Sequence, residues 1–188
     1  MIQEDTADLF VVVTFEATTP DLQPKMEAVR AAFGSNSGIF GDFVVICHTV
    51  IQGREIPGGC SNKNFALRTA WKLLITKYPT GFSVTCTTCD TDSLFHPCYF
   101  RVLEAGYNAK NPLLGGPPQI LVWQPPVFYN WNQDQRPFFV RVTGIMRSTM
   151  MLGGLISFDL NPMSIFSYPV ELGLTTGFIN PRYRYAGA

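Results

Sequence analysis

Two aspartates one residue apart, Asp90 and Asp92, stand at the end of "FSVTCTTC", a stretch that otherwise has the composition of a buried strand. On an extended segment residues two apart share a face, so Asp-x-Asp directs both carboxylates to one side. Two anions so placed repel unless a cation or a hydrogen-bond donor lies between them. Hard carboxylate oxygens suit Mg²⁺ or Mn²⁺, and Mg²⁺ sites combine one or two carboxylates with substrate phosphates. The pair therefore reads as the holder of a divalent metal for a phosphorylated ligand. Eight Asp among 188 residues give about 0.3 chance matches to Asp-x-Asp, so the tripeptide alone carries little weight. Asp90 equally suits the cap of a helix starting near Ser93 to Pro97.

The order of elements before the pair gives it more weight. "LFVVVTF", 9 to 15, is a continuous β-branched and aromatic run, the pattern of a strand buried on both faces. "PDLQPKMEAVRAAFG" repeats apolar residues at Leu22, Met26, Val29, Ala32 and Phe33, one face of a helix that stops at Gly34. "DFVVICHTV", 42 to 50, returns to strand chemistry, and "IQGREIPGGC" is a polar, glycine-rich loop. "SNKNFALRTAWKLLITKY" follows as a second helix, with Phe65, Leu67, Ala70, Trp71 and Leu74 apolar and Ser61 or Asn62 as its N-cap. The third strand, 81 to 89, then delivers the aspartates at its carboxyl end, where open α/β sheets bind ligands.

Composition sets the limits. A chain of 188 residues, 46% hydrophobic and 15% charged, suits one globular domain. Fourteen basic residues balance fourteen acidic ones, which removes the electrostatic footprint of a nucleic-acid binder. "MIQEDTAD" is polar and acidic, unlike a secretory leader, and no run reaches the roughly 18 to 20 apolar residues that cross a bilayer. Five cysteines without regular spacing fit reduced thiols in a cytosolic setting. Cys86, Cys89, His96 and Cys98 are all zinc-ligand types, but Cys86 and Cys89 lie three apart on a strand and face opposite sides, which favours buried thiols over a knuckle.

The runs "VVVTFEA", "IPGGCSNKNFALRTA", "TCDTD" with "LFHPCYF", and "VWQPPVFYNWNQDQRPFFVRV", in that order, resemble the catalytic domain of family-2-type glycosyltransferases, in particular the branch embedded in large membrane proteins. The resemblance covers about residues 9 to 185. It implies the GT-A fold, a Rossmann-like, mainly parallel α/β sheet with helices on both faces, and transfer of a sugar from a nucleotide-sugar donor with inversion. It implies that Asp90 and Asp92 hold Mg²⁺ or Mn²⁺ on the donor diphosphate and that Glu16 lies near the nucleotide. The family's Gly-Lys-x-x-Asn-x-x-x-Ala segment is matched by Gly58, Asn62 and Ala66, against the donor, and His48 falls where this branch often carries a histidine. Gly59 occupies the family's lysine position, which leaves Lys63, Arg68 or another residue to neutralise phosphate. The family's downstream acidic motif, bearing the catalytic base, has no counterpart before Ala188, so the resemblance implies a piece of a longer protein. That parent would be membrane-associated through regions absent from this chain, with the domain facing the cytosol and a glycan or lipid acceptor.

Beyond residue 110, "NPLLGGPP" is a connector, "QILVWQ" a short strand, and "PPVFYNWNQDQRP" a loop whose aromatics suit either stacking on a ligand or packing on the sheet. "FFVRVTGIMRSTMMLGGLISF" reads as a helix with an unusually apolar flank, either core or a surface at a bilayer. Against the transferase stands a non-catalytic α/β nucleotide-binding or interaction domain that shares the fold and lacks the base.

Overall fold

The computed structural model describes residues 9–34, 37–78, 84–108, 121–128, 133–155 and 165–182. The chain is mixed α/β. Strand β1 (Phe10–Glu16) leads through helix α1 (Leu22–Phe33) to β2 (Asp42–His48), and the two strands pair in parallel, Phe10 opposite Asp42 and Glu16 opposite His48. This is the β-α-β unit that the periodicity of 9 to 50 predicts. Helix α1 packs on β2, with Met26 buried and Arg30 donating to the Val45 carbonyl at 3.2 Å. That bond occupies an acceptor on the β2 backbone, where a further strand would otherwise bind.

Helix α2 (Gly59–Lys77) packs against β1 and β2. Its N-cap is Gly58 and not Ser61 or Asn62 as the sequence suggests. Gly58 sits at φ 136°, ψ −175°, a region that only glycine adopts freely, and this lets the loop enter the helix one turn earlier. Ser61 then lies inside the first turn, where its hydroxyl donates to the Gly58 carbonyl at 3.0 Å.

Strand β3 (Thr85–Thr88) pairs antiparallel with β4 (Phe166–Pro169), a strand that sequence periodicity did not separate from its surroundings. Among the described residues the strands thus form two two-stranded sheets, one parallel and one antiparallel, where the sequence suggests one mainly parallel sheet. The short strand expected over "QILVWQ" reduces, in its described part, to one bridge: Trp123 exchanges two 2.7 Å backbone bonds with Ser167.

Helix α3 runs Tyr99–Asn108, starting later than the expected Ser93 to Pro97. Pro97 disfavours helical backbone at His96, and the Tyr99 amide closes a turn on the His96 carbonyl at 2.8 Å just before the helix. Helix α4 (Phe138–Met150) continues into a π-helical turn, Met151–Leu155, and α5 (Val170–Thr176) follows β4 directly. Pro169 suits that junction because its fixed φ, here −63°, is compatible with entry into a helix. The connector "NPLLGGPP" and most of the aromatic loop's tip lie outside the described residues.

Candidate functional site

Three consecutive positions of α2 reach three different parts of the molecule. Asn62 locks onto β1: its amide donates to the Thr14 carbonyl at 3.2 Å and its Oδ1 accepts from the Thr14 hydroxyl at 2.9 Å. Lys63 Nζ makes a 2.8 Å ion pair with Asp90 Oδ1, just past the end of β3. Asn64, 4% exposed, donates through Nδ2 to the carbonyls of Gly177, at 3.0 Å, and Ile179. One helical turn thereby gathers the carboxyl ends of β1 and β3 and the segment after α5.

The carboxyl end of β2 joins through His48. Its ring stacks on Phe65 of α2 at 4.6 Å between centroids, and Nε2 meets Glu55 Oε2 at 3.1 Å. Glu55 also accepts from the Ile51 amide at 2.8 Å and so pins the glycine loop to β2. His48 is 1% exposed and links the end of β2 to the loop above it. Glu16, half-buried, stands opposite His48 in the register, next to the turn in which the Thr19 amide binds its carbonyl at 2.9 Å.

The aspartates sit in a turn. β3 ends at Thr88, and the Ser93 amide donates to the Asp90 carbonyl at 3.0 Å, so Asp90 to Ser93 is not the extended segment that alternation assumes. The backbone bond is a turn and α3 begins six residues later, which removes Asp90 as its cap. Both aspartates are exposed, and both act on one reporter: desolvation raises the pKa of the Cys89 thiol, Lys63 lowers it, and Asp90 and Asp92 raise it again. Lys63, 13% exposed, lies against the protein while Asp90 is 52% exposed, so the carboxylate presents itself to solvent with a cation behind it.

Helix α2 adds a second source of positive potential. Its first amides have no intrahelical acceptor, Gly58 supplies no side-chain cap, and Gly59 is exposed. Arg68, one of the cations expected to replace the family's lysine, is committed to the Gly177 carbonyl at 3.0 Å and Asn64 Oδ1 at 2.9 Å. Lys63 is the one that faces Asp90.

Other candidates fall away from this cluster. Glu171, in the first turn of α5, lies beyond Pro169, which pairs with Thr85 at the start of β3. That is the opposite end of the strand from Asp90, about 20 Å along an extended chain. The carboxylate helps burial push the Cys86 thiol up to about 12. Asp159 lies outside the described residues. Cys98 Sγ accepts from Arg101 and His96 Nδ1 from the Cys98 amide, and among the described residues no group of three or more His, Cys, Asp or Glu converges as for a metal. A groove of about 680 Å³ between α1 and β2 is lined by Arg30, Phe43 and Val45 and includes none of the candidates.

Sequence reading missed Thr14, Glu55 and Asn64. A weak signal existed for Asn64: "SNKN" places two asparagines in the first turns of a helix, where their side chains compete with the backbone unless they bind elsewhere. No protein-family model, curated protein or solved structure matches this chain.

Proposed function

We propose that this chain is the donor-binding part of a metal-dependent glycosyltransferase of GT-A type, taking a UDP-sugar-class nucleotide sugar. The observation that carries the reading is the Lys63–Asp90 pair, which couples the glycine-loop helix to the Asp-x-Asp turn. The resemblance of the sequence to family-2-type enzymes associates those two segments with one diphosphate. The donor set suits the expected cation: two exposed carboxylates, with no group of three potential ligands among the described residues, leave room for diphosphate oxygens and water, as Mg²⁺ or Mn²⁺ sites use.

In this reading Asp90 and Asp92 would hold the divalent cation, which supplies charge stabilisation to the departing nucleoside diphosphate. Lys63 shares Asp90 with that site and contributes a positive charge on the diphosphate side, in the role that the family gives to a lysine at the position of Gly59. The positive end of the α2 dipole would favour phosphate oxygens at that terminus. Gly58 and Asn62 fix where that terminus stands, and Glu16 borders the nucleotide. In an inverting transfer the acceptor oxygen bonds to the anomeric carbon. The bond to diphosphate breaks with its electron pair, and the acceptor proton passes to a base. Glu171 stands toward the other end of β3 from Asp90.

One observation favours the second reading, a non-catalytic nucleotide-binding or interaction domain: Asp90 already has a cation partner in Lys63. Substitutions that keep the side-chain shape and remove its charge separate the two. Asp90→Asn and Asp92→Asn should each weaken Mn²⁺-dependent UDP binding at least tenfold while far-UV circular dichroism stays the same. Equal binding by both variants would remove the donor site and leave the pair as a surface ion pair.

A further inference from the structure

Helix α4 leaves an apolar stripe exposed. At 100° per residue, Phe138, Phe139, Val142, Ile145, Met146 and Met150 fall within an arc of about 140°. All six are exposed, Phe139 by 80%; Val140 on the opposite side is 50% exposed as well, and Gly144 there is the helix's one buried residue. A solvated helix normally does the reverse, and a contiguous apolar stripe of this size marks an interaction surface.

Charge identifies the occupant. Arg141 and Arg147 border the stripe on its two flanks, about 40° and 60° beyond its edges, and Arg136 precedes the helix. Between residues 135 and 158 these three arginines are the only charged side chains, in a chain whose fourteen basic and fourteen acidic residues otherwise cancel. A second copy docked on the same stripe would set arginine against arginine. An anionic lipid surface meets both the apolar arc and its basic borders. At 13 residues α4 is about 20 Å long, short of the roughly 30 Å hydrocarbon core, so it lies in the interface plane.

We infer that α4 is an interfacial helix that seats this face of the protein on an anionic bilayer, through residues of this chain itself. The test is co-sedimentation of the full chain with vesicles of phosphatidylcholine alone or mixed in equal parts with phosphatidylglycerol, without nucleotide, so that the donor site plays no part. Binding should require the anionic lipid and fall at least tenfold between about 0.05 and about 0.5 M NaCl. Phe139→Asp with Met146→Asp should abolish it. Arg141→Gln with Arg147→Gln should weaken it about fivefold per arginine, since each contributes independently near the charged surface. All four side chains are exposed, so unchanged circular dichroism is expected in each variant. Absence of anionic-vesicle binding, or equal binding by the Phe139→Asp, Met146→Asp variant, would overturn the inference. So would a dimer in sedimentation velocity that Phe139→Asp dissociates, because the face would then belong to a second copy.

Discussion

At the scale of single residues, charge and burial assign different duties to groups that look alike in the sequence. Asp90 and Asp92 were legible as a pair, but their turn geometry and the lysine behind them were not, because alternation says nothing about a strand that ends one residue early and turns at once. Lys63 is the sharpest test. Its pair with a half-exposed carboxylate contributes only about 0–1 kcal/mol to folding, so Lys63→Ala should leave the urea midpoint nearly unchanged. The same change should weaken UDP binding about tenfold or more, the value of a charged hydrogen bond to phosphate. Cys86 gives a pH prediction. Its thiol rises from the ordinary 9.0 to about 12 in the fold, chiefly through burial. Below pH 9 both folded and unfolded thiols are protonated and the contribution is complete. As pH climbs from 9 toward 12 the unfolded chain ionises first, and stability is lost. The melting temperature should therefore fall across that window, and Cys86→Val should flatten the slope.

At the scale of elements, the strand and helix runs up to residue 77 were legible because their hydrophobic periods are long and bounded by glycine or proline. The end of β3 and β4 were not, since four-residue strands carry too few alternations to declare themselves. The N-terminus of α2 was misread by three or four residues for a definite reason: the helix starts on a glycine conformation, and its Ser and Asn side chains bind elsewhere. Gly58→Ala should cost about 1–3 kcal/mol in urea unfolding, because an alanine resists φ 136° even though nothing blocks its methyl group. Gly59→Ala, in open space at a helical position, should be neutral or slightly stabilising. The pair separates backbone strain from any effect of adding a carbon.

At the scale of the whole molecule, sequence order predicted mixed α/β architecture, yet not that β3 would pair with a strand some 80 residues later. Non-local pairing is decided by packing that no window of sequence contains. The segment after α5 is another such case: Asn64 and Arg68 hold Gly177, Asn64 also holds Ile179, and the Ile56 amide donates to the Pro181 carbonyl at 3.0 Å. Asn64→Ala would remove the donor from two carbonyls and should lower stability by about 2 kcal/mol, with faster proteolysis near residues 177–182. Function rests on whether this assembly presents one diphosphate site where β1, α2 and β3 meet. Calorimetric titration of UDP into the full chain with Mn²⁺, repeated in EDTA, asks that directly. Saturable one-to-one binding in Mn²⁺ that EDTA abolishes is the expected result. Absence of binding in Mn²⁺, or identical binding in EDTA, would contradict it.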